Sequence, residues 1–141
     1  MTVFNPPAAQ DYTLMGLQPS NTNPANATTY YFGWGGGTLS TVAARQKIVI
    51  PRAGTIVRVD IVVMVGSTLG TTETATFSIR LNDTTDTTIS SSVKHDAAYQ
   101  QYSAAVSIAV VANDFVEIKM AMPTWVTSPT NCRYICSIYI Q

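Results

Sequence analysis

From residue 57 to residue 65 every odd position is apolar (Val57, Val59, Ile61, Val63 and Val65), while Arg58 and Asp60 lie between them. A side-chain period of two belongs to a strand with one buried face, because successive side chains leave a strand on opposite sides. The alternation returns at residues 75–82, with Phe77, Ile79 and Leu81 predicted inward and Thr76, Ser78, Arg80 and Asn82 outward. It returns again through Val106, Ile108 and Val110, and through Val116, Ile118, Met120 and Met122 with Glu117 and Lys119 opposite. Shorter or weaker strand patterns cover residues 29–32, 46–50 and 87–93, and a final one runs from 133 to 140. Turn-forming residues separate them at 51–54, 83–86 and 112–114, and a long irregular loop, 123–131, carries Trp125. About eight strands at short, regular spacing with no helical period predict an all-β antiparallel sandwich or barrel. A buried C-terminal strand and the absence of a Cys–Trp–Cys spacing favour an eight-stranded jelly roll over an immunoglobulin-type sandwich.

The first 27 residues read differently. They hold Pro6, Pro7, Pro19 and Pro24, several Asn, and no sustained period of two or 3.6. Such a stretch predicts an extended N-terminal arm over residues 1–27, followed by a sandwich domain over 28–141. Its scattered apolar residues include Val3 and Met15, and Phe4, Tyr12, Leu14 and Leu17 are the candidate contacts to a partner. A frayed terminus is the alternative.

A chain of 141 residues with 46% hydrophobic residues can bury one substantial core. Charged residues make up 11%, against roughly 25% in an ordinary soluble domain, so Thr, Ser, Asn and Gly must cover much of the surface. That fits a chain packed against copies of itself, and equally a sandwich with Thr on its outward faces. Eight basic and eight acidic residues leave no surplus cation for phosphate, which argues against a nucleic-acid partner. There is no basic run for an anionic membrane surface and no apolar stretch of transmembrane length. Residues 1–5 lack the charged and apolar regions of a secretory signal, which predicts synthesis in the cytoplasm without export by that route.

Catalytic patterns are missing from the sequence. The single histidine, His95, rules out a histidine cluster or an HExxH metal motif, and in the loop 94–98 it reads as a solvated residue. No G-x-S-x-G elbow positions a nucleophile beside it, and most of the carboxylates sit at turns or opposite basic neighbours. The expectation is therefore no enzyme, no cofactor and no metal. Cys132 and Cys136 lie four apart on a strand, roughly 13 Å between Cα atoms, too far for a disulfide. They are predicted to share the inward face with Tyr134, Ile138 and Ile140 as small apolar residues. Two Asn-x-Thr triplets, at Asn26 and Asn82, are what a Thr-rich composition produces without function. Trp34, Tyr99 and Trp125 are the candidate ligand-stacking aromatics, since aromatic faces stack on sugar rings and anchor interfaces. Otherwise they plug the ends of the sandwich, and Trp125 in particular packs under its own loop.

Several pieces carry a resemblance: Ile50-Pro-Arg-Ala-Gly-Thr-Ile56, residues 79–88, Val116-Glu-Ile-Lys119, and Pro123-Thr-Trp-Val-Thr-Ser-Pro129 before a final strand. Over about two thirds of its length the chain is similar to small trimeric jelly-roll domains of tailed-bacteriophage structural proteins. These resemble in shape the C1q/TNF-like heads that trimerise through one sheet. The resemblance implies a non-enzymatic virion protein that works as a homotrimer, with the major capsid protein or another virion protein as partner. A short arm rather than a long shaft before the domain implies a head decoration protein whose arm contacts the capsid. The alternative it implies is a receptor-binding tip of a tail fibre or spike that grips a cell-surface glycan. In either role three weak contacts in one rigid trimer bind far more tightly than one.

Overall fold

In the computed structural model residues 11–34 and 39–141 are described. Among them are nine strands: β1 (Tyr12–Thr22), β2 (Thr29–Phe32), β3 (Ile48–Val49), β4 (Gly54–Val65), β5 (Ala75–Leu81), β6 (Thr85–Val93), β7 (Tyr99–Val110), β8 (Phe115–Ala121) and β9 (Cys132–Ile140). A 3-10 turn at Ala43–Arg45 is the one helical element among the described residues, and no helix there is long and apolar enough to cross a membrane. The strands form two antiparallel sheets, β1-β9-β4-β7 and β2-β8-β5-β6, with β3 also paired to β8. Apart from β2 to β3 and the β5–β6 hairpin, each connection carries the chain from one sheet to the other. This is a jelly roll, as the strand spacing predicts.

The inward faces meet in one core: Ile56, Val59, Ile61 and Val63 of β4 against Phe77 and Ile79 of β5 and Val116, Ile118 and Met120 of β8. Each such side chain contributes roughly 1.5–3 kcal/mol by leaving water. On β9 the buried face is Cys132, Tyr134, Cys136, Ile138 and Ile140, and both cysteines are free thiols, as the spacing predicts. The β4 reading needs one correction. A bulge between Ile56 and Arg58 turns Ile56 inward and leaves Val57 half-buried, so the odd-position rule starts only at Val59.

A larger correction concerns the boundary at residue 27. Tyr12–Thr22 is not a free arm; it is the edge strand of the first sheet, in register with β9 from Tyr12↔Ile140 to Gln18↔Tyr134. Its last residues and those that follow strap the start of β9 and the long loop before it. Arg133 Nε donates to Asn21 Oδ1 (2.6 Å), the Asn131 amide to Asn23 Oδ1 (2.9 Å), and the Trp125 amide to Asn26 Oδ1 (3.1 Å). The several Asn residues are therefore hydrogen-bond acceptors for an adjacent loop. Phe4, one of the candidate partner contacts, lies outside the described residues.

Candidate functional site

The inward positions of β1 are Tyr12, Leu14, Gly16 and Gln18, opposite Ile140, Ile138, Cys136 and Tyr134. Gly16 is required there, because a Cβ would come within 2.6 Å of the Cys136 sulfur. Gln18 is buried, while Tyr12 and Leu14 are half-buried against the core. Tyr12 also donates its hydroxyl to the Arg52 carbonyl (2.7 Å) and lies under the Arg52 guanidinium. Two of the four candidate contacts thus serve the fold itself. Leu17 does not: it is 51% exposed, and Met15 beside it is 57% exposed. The strand thus carries Met15 and Leu17 outward, while its inward face mixes Tyr12 and Leu14 with a glycine and a glutamine.

Cross-strand register shows what surrounds them. One row on the outer face of the first sheet runs Leu17, Ile135, Val62 and Gln101, and the next runs Met15, Ser137, Asp60 and Ser103. A third is Thr13, Tyr139, Arg58 and Ala105. The charge in this field is internally matched. Arg58 Nε donates to Asp60 Oδ1 (2.7 Å), and the guanidinium also lies over the Tyr139 ring. Burial pushes Asp60 up, but hydrogen bonds from Arg58, Ser103 and Tyr139 outweigh it and hold the carboxylate below its usual range.

The outer face of the second sheet carries the larger ionic network. There Lys47 pairs with Asp83 (2.7 Å), Lys119 with Asp86 (2.6 Å) and Arg80 with Asp86 (3.6 Å), while Arg80 Nη1 donates to the Tyr31 hydroxyl. Glu117, predicted outward, is on that face yet fully buried beneath this network. Burial, and then the neighbouring Asp83 charge, push its pKa up to about 8, against the pull of Arg80 and Lys47. With its pKa at about 8 it holds its proton at neutral pH. Periodicity gave its direction, but no sequence signal gives its burial, because the side chains that cover it come from the segment before β3, from β5 and from the turn after β5.

The three candidate aromatics do not converge. Trp34 is 75% exposed and follows Gly33, whose carbonyl accepts from the Leu17 amide, so it stands beside the β1 edge. Tyr99 is 60% exposed at the start of β7, the other edge of the same sheet. Three inter-strand spacings separate the edges by roughly 14 Å. Trp125 is only 4% exposed and packs edge-on to His95 (centroids 5.4 Å), which removes it as a ligand-stacking residue. The Trp125 amide donates to Asn26 Oδ1, which ties its loop to the chain before β2.

His95 is itself a correction. It is fully buried, ringed by Phe77, Trp125 and Tyr134, with a ring nitrogen 2.9 Å from the Tyr134 hydroxyl. A lone histidine between Lys94 and Asp96 gives no local signal of this, since the pocket is built from β5, β9 and the loop 123–131. Burial lowers its pKa to about 4.

Two open clefts sit at opposite ends of the first sheet. One, about 260 Å³, is lined by Asp11, Thr13, Val57 and Tyr139 among others; the second, about 410 Å³, has Asn21, Met64, Tyr99 and Arg133 in its lining. Among the described residues no three His, Cys, Asp or Glu side chains are grouped as a metal site. No protein-family model matches the chain, and no curated protein matches it in sequence.

Proposed function

We propose that this chain is a non-enzymatic structural protein of a bacteriophage virion, a head decoration protein that assembles as a homotrimer and sits on the capsid. The single observation that carries the assembly part is the outer face of the first sheet. Met15 and Leu17 are held outward on a strand beside Ile135 and Val62, while the larger ionic network, of Lys47, Arg80 and Lys119 with Asp83 and Asp86, lies on the other sheet. Exposed apolar side chains grouped on one sheet face, where the only ion pair among the described residues of these rows is Arg58 with Asp60, are the pattern of a surface covered by a partner. A closed ring of identical chains covers it symmetrically and leaves the second sheet in water. The resemblance to trimeric phage jelly rolls supplies the number three and the virion; the apolar face supports burial of that sheet. Because Leu14 and Tyr12 serve the fold, the contact assigned to the N-terminal segment narrows to Phe4, Leu17 and Met15.

Light scattering on the intact chain tests the reading, with the mass of three protomers as the expected result. Met15→Asp combined with Leu17→Asp is expected to give a folded monomer that no longer sediments with undecorated phage heads. A wild-type monomer, or a double variant that stays trimeric, overturns assembly through this face. Failure of the trimer to bind heads overturns the decoration role alone.

A second reading has its own observation. Tyr99 presents an exposed ring at the mouth of the 410 Å³ cleft, as an aromatic platform for a sugar would. On that reading the domain is a receptor-binding tip that grips a cell-surface glycan.

A further inference from the structure

The last outward row of the first sheet runs Arg133, Met64 and Tyr99 on the adjacent strands β9, β4 and β7. At roughly 4.8 Å per strand, the Cα atoms of Arg133 and Tyr99 are about 10 Å apart with Met64 as floor between them. The row lies at the loop end of the sheet, beyond the Leu17–Ile135–Val62 row. There Gly66, Asn131 and Asn21 complete an open cleft of about 410 Å³, within the volume of small-ligand sites.

Its charge is unbalanced. No Asp or Glu lines the cleft. Lys47, Arg58, Arg80, Lys94 and Lys119 each have a carboxylate partner, whereas Arg133 has none among the described residues. What it does have is the Asn21 side chain, which takes its Nε at 2.6 Å and fixes the guanidinium without neutralising it. Its two terminal nitrogens are left to receive a carboxylate in the two-pronged geometry that arginine favours. Across the Met64 floor, Tyr99 offers a flat apolar face.

We infer that this cleft binds a carboxylate-bearing sugar, with the acid group on Arg133 and the pyranose face on Tyr99. The inference rests on the glycan-binding reading and adds the ligand class to it. A sugar is favoured over an acidic peptide because the aromatic platform and the amides of Asn21 and Asn131 are what a hydroxylated ring requires, whereas an isolated carboxylate needs the arginine alone.

Saturation-transfer NMR on the full chain separates the outcomes, using methyl glucuronide, methyl glucoside and an N-acetyl-glutamate amide as probes. Methyl glucuronide is expected to bind with a Kd of about 1–10 mM per protomer. Both Tyr99→Ala and Arg133→Gln are expected to weaken it by about tenfold or more. Val111→Ala, exposed at the far end of β7 from Tyr99, leaves binding unchanged, and an unaltered melting temperature shows that each variant is folded. Equal binding of the glucoside overturns the carboxylate assignment and leaves the glycan reading standing. Binding of neither sugar overturns both, and binding of the glutamate probe in their place assigns the cleft to a peptide.

Discussion

His95 shows how far one residue's chemistry is set by its surroundings. A histidine inside an aromatic cage is kept neutral, because charging it there would forfeit its hydration. Its folded pKa, about 4, lies below the unfolded value near 6.5. Its contribution to stability is complete above pH 6.5 and is lost as pH falls from there toward 4. The bond between its ring nitrogen and the Tyr134 hydroxyl is testable by itself. Tyr134→Phe is expected to lower stability by about 1 kcal/mol in urea denaturation, the net worth of one buried hydrogen bond. An unchanged midpoint and slope would mean that the bond contributes nothing. Burial also pushes the Cys132 thiol up to about 11 and the Cys136 thiol up to about 12. Neither is a thiolate near neutrality, so a disulfide reagent at pH 8 should modify them only as fast as the protein unfolds. Modification of the native protein at the rate of a free cysteine contradicts this burial.

At the scale of the element, β1 is the informative strand. Its inward residues include a glycine and a glutamine, its outward residues include Met15 and Leu17, and Pro19 lies within its span. Proline is tolerated because the strand is an edge, where one side of the backbone has no ladder to complete. What docks the strand is close approach: Gly16 lets the backbone pass over the Cys136 sulfur. Gly16→Val therefore forces either β1 or β9 aside, at a cost of roughly 1–3 kcal/mol. Hydrogen exchange should localise the damage, with β1 amides losing protection while those paired between β4 and β7 keep it. Uniform loss of protection would instead mean that β1 unfolds only with the whole sandwich. The bulge in β4 acts at the same scale, since one extra residue exchanges which of Ile56 and Val57 faces the core.

For the whole molecule, the placement of charge matters more than its sum of zero. The network over the second sheet encloses Glu117, whose folded pKa of about 8 lies above its unfolded value near 4.5. A carboxyl whose pKa rises on folding stabilises fully below the unfolded value, and that stability is lost as pH climbs to the folded one. Glu117 thus opposes His95 between pH 4.5 and 6.5 and acts alone between 6.5 and 8. Each tenfold change in proton affinity is worth about 1.4 kcal/mol, so the decline amounts to a few kcal/mol. Thermal melts should show a plateau near pH 5–6 and a falling melting temperature from 6.5 to 8. Glu117→Gln removes the ionisation and should flatten the fall; a variant that declines as steeply as wild type would place its cause elsewhere. On the acid side the lowered carboxyls of Asp83, held down chiefly by Lys47, and Asp114, held down chiefly by Asn82, lose their contribution as they protonate.

Strand and turn were legible from residue 28 onward because a period of two and its turn residues are local properties. Val59, Phe77, Ile118 and Ile138 needed no partner to reveal which way they face. The two free cysteines were legible for the same reason, from spacing along a single strand. Properties made by chain segments distant in sequence were decided only by the tertiary structure. Residues 12–22 become a strand because β9 offers a free edge and Gly16 clears Cys136. His95 and Glu117 lose their water to side chains contributed by elements far along the chain. The cleft of Tyr99 and Arg133 exists because the order β9-β4-β7 aligns two residues 34 positions apart in sequence. Local periodicity sets which face of each strand meets the core; only the packing of sheets sets which polar groups are sealed in and which apolar ones are left outside.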